Sequence, residues 1–103
     1  MITASFKKKN GNICGFRVSG HSGYAEAGSD IVCAAVSAMV MLTVNIITED
    51  LGIQASLETD EENALIAMSL SSTDKAAIAV LSGLEREISN LAADYPKNVR
   101  VIK

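Results

Sequence analysis

His21, the one histidine of this chain, and Cys33, one of its two cysteines, bracket a glycine-containing segment that runs into a strongly apolar stretch. An imidazole takes a thiol proton near neutral pH, and the thiolate is the form that attacks carbon, so the two residues form a candidate base and nucleophile. Gly20, Gly23 and Gly28 of the same segment would free backbone N–H groups for an oxyanion or let a peptide approach closely, unless they only supply positive φ. Asp30 fits the N-cap of a helix beginning at Ile31. That would put Cys33 in the first turn, where unpaired N–H groups and the positive end of the helix dipole favour an anion. On residue types alone, a small buried cysteine and a hydrogen-bonded histidine remain the competing description.

The surrounding pattern predicts the elements that must position this pair. Ile2, Ala4 and Phe6 alternate with Thr3, Ser5 and Lys7, the period of a half-buried strand. Asn10-Gly11 then supplies a type I′ hairpin turn, because both residues tolerate positive φ. Residues 13–18 return antiparallel, with Cys14, Phe16 and Val18 on one face, and residues 19–29 form a long loop. A helix over residues 31 to about 51, ended by Gly52, has almost no polar face and is expected to be covered on more than one side. Residues 53–59 and 64–70 alternate as a second hairpin around the polar turn 60–63. Thr73 or Asp74 caps a second long helix in which Ala77, Leu81, Leu84, Ile88, Leu91 and Tyr95 recur at helical spacing. Pro96 stops it, and residues 98–103 alternate again. The expectation is one α+β domain over residues 1–103, two-layered, of order β-β-α-β-β-α-β, with a mostly antiparallel sheet and both helices on one face.

Composition narrows the function classes. Nine Lys plus Arg against twelve Asp plus Glu give a net charge of −3, so no direct nucleic-acid partner is expected. The run Lys7-Lys8-Lys9 reads as the solvated end of a strand rather than a phosphate contact. Two cysteines without an apolar leader or an Arg-rich presequence predict a cytoplasmic chain with free thiols rather than a Cys14–Cys33 disulfide. The apolar run over residues 31–47 is shorter than the ~20 residues of a membrane span. It also contains Ser37, Thr43 and Asn45, so a buried helix and no membrane partner are expected. His21, Cys33, Cys14 and Asp30 match no zinc-ligand spacing. No metal and no cofactor are expected.

The uninterrupted stretch Gly20-His21-Ser22-Gly23-Tyr24-Ala25-Glu26-Ala27-Gly28-Ser29-Asp30-Ile31-Val32-Cys33-Ala34-Ala35-Val36-Ser37 resembles the signature of the ribosomal-processing cysteine protease family, Prp. The resemblance rests on the Gly-His entry, the His to Cys separation of twelve, and the Asp-Ile-Val-Cys helix start. It implies a small homodimeric cysteine protease of the bacterial cytoplasm. The implied substrate is a large-subunit ribosomal protein precursor, whose short N-terminal extension is removed. By the same resemblance Cys33 is the nucleophile, His21 is the base and later the acid, and residues 22–29, including Ser22 and Tyr24, form a loop that closes over an extended peptide. N–H groups at the helix start are the expected oxyanion donors. Asp30 either orients His21 or only caps the helix, and Ser37, one turn beyond Cys33, either faces the site or bonds back to its own helix. A non-enzymatic ribosome-assembly or dimerisation module, motivated by the apolar helix, is the alternative from another class. Alkylation of Cys33 that depends on His21 separates the two.

Overall fold

At the first hairpin φ is 54° at Asn10 and 81° at Gly11, the two positive values that a type I′ turn requires. Strand β1 (Ile2–Lys9) accordingly folds back as β2 (Asn12–Ser19), with Ala4 opposite Val18 and Phe6 opposite Phe16. The computed structural model describes residues 1–26 and 30–102. The register shifts between Lys7 and Lys8, which face Gly15 and Ile13, so Cys14 is the extra residue of a bulge. Residues Ile13, Cys14, Gly15 and Phe16 are therefore all buried, where simple alternation predicts every second one.

Helix α1 (Ile31–Asn45) places Val32, Val36, Val40 and Val44 four residues apart on its buried face. It continues as a π-helical turn, Ile46–Asp50, that carries Ile47 fully into the core. Gly52, at φ 63°, follows the helix end as the residue types predict. By length and composition the segment Ile31–Asp50 is apolar enough to cross a bilayer, yet its valine stripe and Ile47 belong to the core of this sheet. The expected cover on more than one side is not met within the chain. Ile31, Met41 and Leu42 are exposed, because a two-layer packing covers only the valine side.

Strands β3 (Ala55–Asp60) and β4 (Leu65–Leu70) form the second hairpin. The Asp60 carboxylate accepts the N–H groups of Glu62 and Asn63 in its turn. Ala64 sits at φ 47°, so β4 begins one residue later than the alternation predicts. Helix α2 (Lys75–Asp94) is capped by Asp74, which accepts the Ala77 N–H at 3.0 Å, and it buries Ala77, Leu81, Leu84 and Ile88. Glu85, on the flank of α2, is largely covered and pairs with Lys8 at 3.7 Å. Lys7 reaches Ser69 Oγ at 3.4 Å, so this basic run lies along a strand end. Strand β5 (Val99–Ile102) runs parallel to β1, the one parallel pairing among the described residues, with Ile2 opposite Val99.

The sheet order is β3-β4-β2-β1-β5. Its first four strands read the same from either side of the central β4–β2 pair when the two hairpins are exchanged, and each hairpin leads into a helix. The core joins Ile2, Ala4, Phe16, Val18 and Met68 of the sheet to the α1 valines and to Leu81 and Ile88 of α2. One end of the sheet carries the candidate residues. There the start of β1, the end of β2 and the start of β5 meet, since Thr3 faces Ser19 and Ile2 faces Val99.

Candidate active site

The chain leaves β2 at this end through Gly20, whose φ of 93° suits glycine. A Cβ built there would lie 2.4 Å from the Met1 carbonyl oxygen, so no other residue fits without moving β1. The Gly20 N–H donates to Asn63 O at 3.2 Å, and the amino nitrogen of Met1 donates to His21 O. The backbone on both sides of His21 is thereby held to the sheet, while its side chain is exposed.

Asp30 has the capping role that its type predicts. Its Oδ1 accepts the N–H groups of Val32 at 3.0 Å and Cys33 at 2.9 Å, and the Ala34 N–H donates to its carbonyl oxygen at 3.1 Å. The cap thus engages the N–H groups of Val32 and Cys33, two of the helix-start groups expected to serve as oxyanion donors. Asp30 Oδ2 accepts the Ser22 hydroxyl and, at 3.3 Å, the Ala25 N–H. Its carboxyl is held down at about 2, first by the Ser22 hydroxyl and then by the Cys33 N–H, with Ala25 and Val32 adding to the effect. The hydrogen bonds its carboxylate accepts come from Ser22, Ala25, Val32 and Cys33, so among the described residues it makes none to the His21 imidazole.

Ser22 is buried, at 1% exposure, and every polar group it owns is engaged. Its N–H donates to Cys33 Sγ at 3.3 Å, its hydroxyl accepts the Tyr24 N–H at 3.2 Å, and its carbonyl accepts Asn98 Nδ2 at 3.0 Å. Tyr24 stands edge-on to Tyr95 at the end of α2, with ring centroids 5.5 Å apart at 89°. Residues 22–25 are thus fastened at four places: the sulfur, the cap, Asn98 and the Tyr95 ring at the end of α2.

Two clefts meet at Cys33, which is half-buried with a free thiol. One, of about 290 Å³, is lined by Gly20, His21, Cys33 and Ser37 together with apolar Ile2, Val18, Met41 and Ile66. The other, of about 470 Å³, is lined by His21, Gly23, Ala25, Asp30, Cys33 and Ser37. The structure therefore brings His21, Cys33 and Ser37 to the walls of the same two clefts and puts Gly20 and Gly23 beside them. Tyr24 packs on Tyr95, away from the lining of both clefts. Gly28 lies outside the described residues. Cys14 is buried elsewhere, near Thr48 and Ile53. Among the described residues no group of three or more His, Cys, Asp or Glu side chains is arranged to hold a metal ion.

Sequence reasoning missed Asn98. It is 76 residues from Ser22 and reaches the site only because β5 lies parallel to β1 and starts at the same end of the sheet. No local motif marks it.

Comparison with known proteins bears on the whole chain. A family model described as Cysteine protease Prp matches residues 1–100. The ribosomal processing cysteine protease Prp of Bacillus subtilis (strain 168) is 28% identical, over 98% of this chain and 96% of that protein. Among solved structures, SMU.848 from Streptococcus mutans superposes with a TM-score of 0.86 at 32% identity, covering 98% of this chain and 91% of that one. The essential ribosomal processing protease Prp from S. aureus, in complex with a covalently linked product peptide, shares the fold. Its TM-score is 0.87 at 24% identity, covering 98% and 97% of the two chains.

Proposed function

Because this chain belongs to the Prp family and is a cysteine protease, we propose that Cys33 is its nucleophile and His21 its general base and acid. We propose further that its substrate is the precursor of a large-subunit ribosomal protein, shortened at its N-terminus. The observation that carries the site assignment is the shared lining of both clefts by His21 and Cys33, with the sulfur at the capped start of α1. Membership in a protease family removes the non-enzymatic module as a reading. The substrate follows from the relatives, named for ribosomal processing.

The chemistry is thiol acyl transfer. His21 takes the proton from Cys33 Sγ, and the sulfur electron pair forms a bond to the scissile carbonyl carbon while the C=O π pair moves onto oxygen. When that pair returns, the C–N bond breaks, and the leaving amine takes the proton from the His21 imidazolium. Water, deprotonated by His21, then adds to the thioester, and the C–S bond breaks to free the carboxylate and restore the thiol. In the free chain the sulfur's hydrogen bond comes from Ser22, and the exposed imidazole reaches it once a peptide is seated. Catalytic hydrogen bonds commonly tighten only in the complex. Neither metal nor cofactor enters these steps.

A second copy belongs to this reading. Ile31 and Leu42 are 58% and 63% exposed on the outer side of α1, a surface that a homodimer in the bacterial cytoplasm would cover.

Incubation with the organism's precursor ribosomal protein tests the proposal. The parent chain should shorten the precursor, Cys33→Ala should leave it intact, and His21→Ala should cleave it more slowly and alkylate more slowly with iodoacetamide. Equal cleavage by Cys33→Ala overturns the nucleophile. If a generic peptide is cut while the precursor stays whole, the chemistry stands and the substrate assignment falls.

A further inference from the structure

The cap leaves open which donor receives the oxyanion. The N–H groups of Val32 and Cys33, the nearest helical candidates, are bonded to Asp30 Oδ1. One backbone donor does point at the sulfur, the Ser22 N–H at 3.3 Å. Sulfur is a weak acceptor, so this buried N–H is only partly satisfied. During attack the carbonyl carbon bonds to the sulfur and negative charge passes to the attached oxygen, which comes within reach of a donor already resting on Sγ. A charged oxygen is the better partner. Resting on Cys33 as the nucleophile, we propose that the Ser22 peptide N–H stabilises the oxyanion and that Asn98 is the positioning residue that aims it.

The aim is set by bonds on both sides of that N–H. The peptide that carries it has its carbonyl, His21 O, held by the amino nitrogen of Met1. The next peptide has its carbonyl, Ser22 O, held by Asn98 Nδ2 at 3.0 Å. Asn98 is itself fixed to two elements. It accepts the Ile2 N–H at 2.8 Å, and its own N–H donates to Tyr95 O at 2.9 Å. Ser22 has almost no exposed surface, so its carbonyl has no water to turn to if Asn98 withdraws. The Ser22–Gly23 peptide then turns about the Ser22 Cα, and the Ser22 N–H keeps only the His21 side of its support. Such preorganised donors act because they need no reorientation as charge develops.

Asn98→Asp keeps the shape of the side chain and replaces its donor by an acceptor facing a carbonyl oxygen. Asn98→Ala removes the group. Two probes of Cys33 separate aiming from packing. Acylation by p-nitrophenyl acetate, followed as p-nitrophenolate release, passes through an oxyanion; alkylation by iodoacetamide is a displacement at saturated carbon and does not. Both variants should acylate about tenfold or more slowly, while alkylation changes by less than about twofold. If Asn98→Asp acylates at the parent rate, or if acylation and alkylation fall together, the proposal is overturned. Should neither variant give a cooperative melt, an ester in place of the Ser22 amide, installed by ligation of synthetic segments, decides instead. A drop in acylation of about tenfold or more supports the role, and a parent rate removes it. If Cys33→Ala releases p-nitrophenolate as fast as the parent, the nucleophile assignment fails rather than the role of Asn98.

Discussion

The Ser22 hydroxyl donates to Asp30 Oδ2, which joins the residue after the histidine directly to the residue that caps the helix bearing the cysteine. The two ends of the loop are therefore one hydrogen-bonded unit. Anything that weakens the Asp30 carboxylate weakens the cap and the loop anchor together.

This coupling predicts an acid response. The Asp30 carboxyl is lowered from its ordinary 3.8 to about 2 in the fold, so its charged form stabilises the native state. Its contribution is complete well above 3.8 and is lost as pH falls towards 2. Asp30→Asn retains a capping side chain but has no carboxylate to protonate. The gap in melting temperature between parent and variant should shrink as pH is lowered from about 7 to about 2. A gap that stays constant across that range would contradict the assignment. Asp60, also lowered by its own turn, is present in both chains and cancels.

Gly20→Ala should be costly. The new Cβ would meet the Met1 carbonyl oxygen at 2.4 Å, and the φ of 93° is one that side chains rarely adopt. Backbone strain of this kind costs ~1–3 kcal/mol, or a fall of ~4–8 °C in melting temperature per kcal/mol for a domain of this size. Cleavage should fall as well, since His21 is the next residue. A variant with the parent melting temperature would show that β1 yields freely.

Leu81→Ala separates stability from chemistry. Leu81 is fully buried between α2 and the sheet, and truncation in such a core costs about 2–5 kcal/mol. Denaturant unfolding should show that loss. Below its melting temperature the variant should alkylate at Cys33 at the parent rate, because no cleft wall includes Leu81.

The edge-on Tyr24–Tyr95 pair should show a coupling of about 0.5–1.5 kcal/mol in a double-mutant cycle with Tyr24→Ala and Tyr95→Ala. Unfolding midpoints and slopes supply the four free energies. Strict additivity would mean that the ring contact contributes nothing to holding the loop against α2.

Strand and helix positions were legible in the sequence wherever local physics decides them. Asn10-Gly11 needs positive φ at both residues, Asp30 and Asp74 find N–H groups three residues on, and the α2 apolar spacing turns inward as the period requires. His21 and Cys33 stood out as candidates because their types pair a base with a nucleophile, and the structure puts both on the walls of the same clefts. What stayed hidden depends on strand neighbours. The bulge at Cys14 arises from a register shift across the hairpin, and Asn98 reaches Ser22 only through the parallel placement of β5 beside β1. The occupation of the helix-start N–H groups was likewise not legible, since a cap signal does not say how many donors one carboxylate takes.

The interchangeable hairpins give the molecule an internal control for its own reactivity. Asp74 stands to Ala77 as Asp30 stands to Cys33, each cap accepting the N–H three residues ahead. Both halves thus offer the same helix start and the same dipole, yet Ala77 is fully buried and lines neither cleft beside His21. The fold needs only the carboxylate; the thiol is supported by the long passage from β2 to α1 (residues 20–30), against four residues from β4 to α2 (71–74). Ala77→Cys should therefore resist iodoacetamide in the native state and react only on unfolding. Rapid native alkylation there would show that a capped helix start suffices without a neighbouring histidine or a cleft.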